Sequence, residues 1–113
     1  MSDELPEPTV STRPRQKEEQ KVRRLPPYNV VLLNDDFHSM EFVVEVLQQV
    51  LGCNQQRAVV LMSEAHNRGR SIVWTGQKEV AELKVEQISS FHETRPDGKK
   101  LGALGVELEP APG

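Results

Sequence analysis

Cysteine is nearly missing from this chain: Cys53 is the only one in 113 residues. That excludes an internal disulfide and a zinc site built from several thiolates, and the usage suits a reducing cytosol. A surplus of basic charge is missing too, since 14 Lys and Arg face 17 Asp and Glu for a formal net charge of −3. Binding to nucleic acid through phosphate contacts is therefore not expected. Long apolar runs are absent as well. The longest, Ala58 to Met62, falls far short of the roughly 20 residues that span a bilayer. Charges scattered through the first 24 residues leave no apolar core for a secretory signal, so a cytoplasmic protein without a membrane segment is expected. Catalytic signatures are equally lacking: no G-x-S-x-G, no P-loop and no Cys–His nucleophile pattern. The chain reads as a non-enzyme without a cofactor or bound metal. Apolar residues are nevertheless sufficient for a core. Leu, Ile, Val and Phe make up more than a quarter of the chain, above the level of about 20% below which chains stay disordered. The length allows one domain.

Five of the eight prolines fall within the first 27 residues, which contain no Trp, Phe or Ile, and charges of both signs crowd the stretch from Arg13 to Arg24. Such a stretch cannot bury enough apolar area to offset the entropy of ordering it. Residues 1–26 are expected to form a disordered extension, and 27–110 the folded domain. Val30-Val31-Leu32-Leu33 reads as an interior strand, ended by Asn34-Asp35-Asp36, whose side chains bond local backbone and favour turns. Ser39 is suited to cap a helix carrying Met40, Val43, Val44, Leu47, Val50 and Leu51 at helical spacing, with Gly52 as its stop. Asn54 caps a second helix with Ala58, Leu61, Met62 and Ala65 on one face, ended at Gly69. Ser71 to Trp74 reads as a short strand, and Thr75 as the cap of a third helix bearing Val80, Ala81, Val85, Ile88 and Phe91. Pro96-Asp97-Gly98 is a turn. Leu104, Val106 and Leu108 alternate with Gly105, Glu107 and Glu109, as in a half-buried strand. The order β-α-α-β-α-β predicts an α/β (α+β) two-layer sandwich with helices on one face of a short sheet.

Polar residues gather where the first strand meets the first helix: Asn34, Asp35, Asp36 and His38. His66 lies four residues after Met62 on the second helix, on the same face. If these helices pack as a hairpin, Met40, Met62 and Ala65 line a hollow with Asn34, Asp35 and His66 at its rim. An apolar hollow with a few convergent polar groups is the usual form of a small-ligand site. An ammonium carries three donors and no acceptor; an Asn carbonyl, an Asp carboxylate and a neutral His nitrogen together accept all three. A peptide's α-amino group with a large first side chain would fill both rim and hollow. The simpler alternatives are that Asn-Asp-Asp is only a turn, His66 only a surface residue, and the methionines only core filler. A metal site from Asp35, Asp36, His38 and His66 has no supporting spacing.

Tyr28-Asn29-Val30-Val31-Leu32-Leu33-Asn34-Asp35-Asp36, with Met40-Glu41-Phe42-Val43-Val44 after it, closely resembles the signature of the ClpS family of Clp protease adaptors. Ala65-His66 with Gly69, then Glu79-Val80-Ala81-Glu82 with Lys84-Val85, match that family's other blocks in order and spacing. The resemblance implies three helices packed on a three-stranded antiparallel sheet. It further implies recognition of N-degrons, whose first residue is Leu, Phe, Tyr or Trp, and their delivery to the N-terminal domain of a ClpA or ClpC unfoldase by a monomeric adaptor. Carried onto this chain, Asn34, Asp35 and His66 hold the α-amine. Leu32, Met40, Val43, Met62, Ala65 and Leu104 wall the side-chain pocket, Asp36 and His38 stand at the rim, and Glu79 and Lys84 meet the unfoldase. Met40 resembles the family's gate against β-branched first residues. Two positions depart from the pattern. Ala65 stands where the family usually has a longer or branched residue, and His38 where it commonly has a small hydroxyl. A ribosomal-stalk-like interaction module without N-terminal preference is the alternative from another class. It would have no need of Asn34, Asp35 and His66 together.

Overall fold

The computed structural model describes residues 25–112. All but the last two residues of the expected disordered extension lie outside them. Three helices pack on a three-stranded antiparallel sheet: β1 (Tyr28–Leu33), α1 (Met40–Leu51), α2 (Gln55–Arg68), β2 (Arg70–Gly76), α3 (Lys78–Ser89) and β3 (Val106–Pro110), with strand order β2-β1-β3.

The most apolar strand takes the middle place. Val30 and Val31 are completely buried and Leu32 almost so: the strand is paired along both edges, and Val30 and Leu32 face the helices. Val30 and Leu32 join the core formed with Val43, Val44, Val46, Leu47, Ala58, Leu61, Ala81 and Ile88. On the other side, Asn29 is buried with both ends of its amide engaged. Its amide donates to Glu109 Oε2 (3.2 Å), and its oxygen accepts from Thr75 Oγ1 (2.7 Å). The register along β2 slips between Val30 and Val31, whose partners are Trp74 and Ile72. Val73 is the extra residue of this bulge and joins the core.

The first two helices end as local chemistry dictates. Ser39 and Asn54 accept from the N–H groups of Phe42 and Arg57, at 3.1 and 2.8 Å, each satisfying one orphan donor of a first turn. Gly52 and Gly69 close the same helices in the left-handed region, φ 71° and 89°. The third helix differs from expectation. Thr75 is not its cap. It belongs to β2, which runs on to Gly76, and its hydroxyl is committed to Asn29. The helix starts at Lys78 after Gln77, which makes no side-chain capping bond, and it ends at Ser89, before Phe91. Leu104 precedes β3 and is buried.

Lys84 of α3 reaches across to α1, where its ammonium donates to the Val50 carbonyl (3.0 Å). That carbonyl is one of the four left unpaired at a helix C-terminus, where positive charge is favoured. Lys84→Ala is expected to lower stability by about 1 kcal/mol, read from the denaturant midpoint. An unchanged midpoint would show that the bond contributes nothing.

Candidate functional site

Two backbone bonds at the end of β1 bring the candidate residues together. Leu33 N–H donates to Gly105 O (2.9 Å) and Asn34 N–H to Gly69 O (3.0 Å). The first ties the approach to β3 against β1, setting Leu104 beside Leu32. The second ties the last turn of α2 against the start of the Asn34 loop, so that His66 and Asn34 face one hollow. Gly69 reaches this position through its positive φ, which other residues adopt only with strain.

The hollow has a volume of about 190 Å³. Its lining comprises Leu32, Leu33, Met40, Val43, Met62, Ala65 and Leu104, with Asn34, Asp35, Asp36, His38 and His66 as its polar members. Every pocket and rim residue expected from sequence is among them, while Glu79 and Lys84 lie elsewhere, on α3. Leu33 was not anticipated. The apolar wall is mostly core: Leu32, Val43, Ala65 and Leu104 are buried. Met40, the first residue of α1, is 56% exposed and stands at the mouth. The exposure of Phe37 reaches 81% on the same loop.

The two aspartates do different work. Asp35 Oδ1 accepts from the N–H groups of Phe37 (2.7 Å) and His38 (3.1 Å), and its Oδ2 meets His38 Nδ1. This is a closed Asx turn, with only 14% of the side chain exposed. Burial opposes the charge on Asp35, but the two N–H bonds and then the His38 ring outweigh it, holding the carboxyl below its ordinary range. Asp36, Asn34 and His66 are exposed, and the described residues offer none of their side chains a hydrogen-bond partner. His38 was expected at the rim. Its side chain is instead almost wholly buried, stacked on Phe42 with centroids 5.3 Å apart. Its Nε2 lies 2.7 Å from Gly102 O. Glu93, outside the hollow's lining, braces the same loop through Oε1, which accepts from Ser39 N–H (2.9 Å), a contact that no local pattern could reveal. Among the described residues no three His, Cys, Asp or Glu side chains converge as ion ligands.

Asp35→Ala is expected to cost about 1–2 kcal/mol near neutrality. A carboxyl depressed on folding stabilises above the unfolded value of about 3.9 and loses that contribution as pH falls through the lower folded value. The stability gap between Asp35→Ala and the unsubstituted chain should therefore narrow in denaturant melts run from neutral pH to below about pH 3.9. A constant gap would show that the carboxylate's charge does not hold the turn.

The profile of the family described as "ATP-dependent Clp protease adaptor protein ClpS" matches residues 23–102. The adapter protein ClpS of Methylococcus capsulatus is 45% identical over 75 residues, covering 66% of this chain and 71% of its own. That of Desulforapulum autotrophicum is 39% identical over 97 residues, covering 86% and 91%. Among solved structures, Agrobacterium tumefaciens ClpS2 bound to L-phenylalaninamide superposes with a TM-score of 0.65 at 30% identity, over 78% of this chain and all of that one. With the strand order, the capped helix hairpin and the polar-rimmed hollow all in place, this chain belongs to the ClpS family of ATP-dependent Clp protease adaptors.

Proposed function

We propose that this adaptor recognises N-degrons, binding the free α-amino group and large hydrophobic first residue of a substrate and passing it to a AAA+ Clp unfoldase. The observation that carries the reading is one hollow whose wall is apolar and whose rim holds unengaged acceptors. A cavity of about 150 Å³ accommodates benzene, so about 190 Å³ suits a phenyl side chain. The ligand of the Agrobacterium neighbour, L-phenylalaninamide, carries an amine and a benzyl group, the two features that this hollow matches.

Binding requires no bond-making step. The ammonium exchanges water for fixed acceptors on Asn34, His66 and a carboxylate. Asp36 is the carboxylate best able to contribute, because it is exposed at the rim while Asp35 spends its oxygens on the turn and on His38. Asp35 then acts chiefly by shaping the loop and adding negative potential. Leu32, Met40, Val43, Met62, Ala65 and Leu104 desolvate the first side chain. Burial of a Phe-sized group contributes about 1.5–3 kcal/mol, and each hydrogen bond to a charged group roughly 1.5–3 kcal/mol. After the cost of association, that range is compatible with micromolar affinity, about 8 kcal/mol. On α3, exposed Glu79 borders Val80 and Leu83, both exposed apolar side chains. This strip, with the outer part of Lys84, is the surface offered to the N-terminal domain of ClpA or ClpC. The protein would act in the cytoplasm as a monomer.

A Phe-initiated peptide should bind in calorimetric titration, and its N-acetylated twin at least about tenfold more weakly. Acetylation removes the charge and two of three donors, and tenfold corresponds to only about 1.4 kcal/mol. Equal affinity of the two peptides would refute the reading.

Ala65 sets the depth of the hollow, having no methyl beyond Cβ. Peptides starting with Trp, Phe or Tyr should bind better than those starting with Leu. Ala65→Val, by adding two methyls to the wall, should move the preference towards Leu. Fluorescence anisotropy with the four peptides checks both, and a Leu peptide bound as tightly by the unsubstituted chain would contradict the first.

A further inference from the structure

The most constrained polar side chain lining the hollow is also the most buried of its polar members. His38 is 4% exposed through its side chain, and both ring nitrogens face acceptors: Asp35 Oδ2 on one side and the Gly102 carbonyl, 64 residues along, on the other. Phe42 stacks against the ring at 5.3 Å and 18°, leaving it little freedom to turn. A hydrogen on each nitrogen satisfies both contacts, whereas a ring with one hydrogen serves only one of them.

The two partners belong to opposite sides of the site. Asp35 holds the turn that presents Asn34 and Asp36. Gly102 is two residues before Leu104, which is buried in the pocket wall, within the long connection 90–105 between α3 and β3. That connection forms a small hairpin of its own. Thr94 pairs with Lys100, and the turn closes with Gly98 N–H on Arg95 O (2.8 Å). Its base is held by Leu101 N–H on Glu93 O (2.8 Å), and Glu93 Oε1 reaches Ser39 N–H. Both sides of the site are thus loops, joined through side chains by the His38 ring and by the Glu93–Ser39 bond.

We propose that His38 is a positioning residue that sets the distance between the amine rim and the Leu104 wall, so that the first residue of a peptide is gauged by both together. The inference rests on the N-degron reading above. A hydroxyl at this position, one bond from Cβ, has one hydrogen to give and a shorter reach. It serves Asp35 without touching Gly102. Histidine spans both, and so adds to the Glu93–Ser39 bond a tie close to Leu104 between the 90–105 connection and the rim.

The test uses the full chain, with His38→Ala, His38→Ser and His38→Gln, titrated with Phe- and Leu-initiated peptides and followed by amide hydrogen exchange. His38→Ala should weaken Phe binding about tenfold and shift the Phe-to-Leu affinity ratio at least threefold. Amides in 35–38 and 101–105 should then exchange faster together. His38→Gln, whose amide approaches the Nε2 position, should recover part of the ratio; His38→Ser should not. Weakening of both peptides by one common factor would mean that His38 only supports the fold and would overturn the proposal, as would wild-type affinities in His38→Ala. If that variant does not fold, the Gln and Ser pair decides through the ratio alone. Should the unsubstituted chain bind neither peptide, the N-degron reading falls. The link between the loops is then judged by exchange: acceleration confined to one segment refutes it.

Discussion

The hollow depends on how β1 ends. The ladder to β3 ends at Leu32 and the ladder to β2 at Leu33, yet the N–H groups of Leu33 and Asn34 are both paired. Gly105 O takes one and Gly69 O the other. A lost bond at either place would leave a polar group to find water in a crowded corner, at a cost of order 1–3 kcal/mol. These two bonds draw the end of α2 and the approach to β3 to the same strand terminus from different directions. Because the chains converging there belong to separate elements, the space between them is not filled by any one side chain. A small residue at 65 and a methionine at the mouth keep it open.

An unfilled apolar space is ordinarily a liability, since its lining forgoes dispersion contacts. The fold limits that loss by placing the hollow at the edge of the core. Val43, Ala65, Leu32 and Leu104 are well buried on their inner sides, and only their outer surfaces face the opening. The main core, around Leu47 and Ile88, is closed and complete without a ligand. Stability and recognition are therefore carried by neighbouring but different sets of contacts. A change at the mouth, such as Met40, is expected to disturb the second much more than the first.

What was legible in the sequence was local. The Val-Val-Leu-Leu run announced a central strand. Ser39, Asn54, Gly52 and Gly69 announced their helix ends because a cap bonds backbone within three or four residues of itself. Thr75 has the chemistry of a cap but spends its hydroxyl on Asn29, 46 residues away, and no window of sequence shows that. The same limit governs the site. The hollow's lining was legible from helical spacing and from the resemblance to known adaptors, though Leu33 was not. The division of labour between Asp35 and Asp36 was not legible, because two adjacent identical residues differ only in which way the turn points them. His38 and Gly102 lie in different loops, and nothing in composition or spacing joins them.

Under the proposed N-degron reading, the magnitudes explain why rim and wall would have to be fixed relative to each other. An exposed ion pair contributes about 0–1 kcal/mol, so Asp36, standing in water, cannot by itself hold an ammonium. An apolar side chain in the hollow contributes about 1.5–3 kcal/mol, and that alone is also far from micromolar binding. Seating the side chain, however, presents the amine to the rim as an intramolecular partner. The second contact then no longer bears the full translational cost of association. That gain exists only if the rim stands at the distance at which the seated residue delivers its amine. Two loops that wandered independently would lose it. On that reading, selectivity for a free amine next to a large side chain would be a property of the spacing between the Asn34 turn and the Leu104 wall, more than of any acceptor or apolar group taken singly.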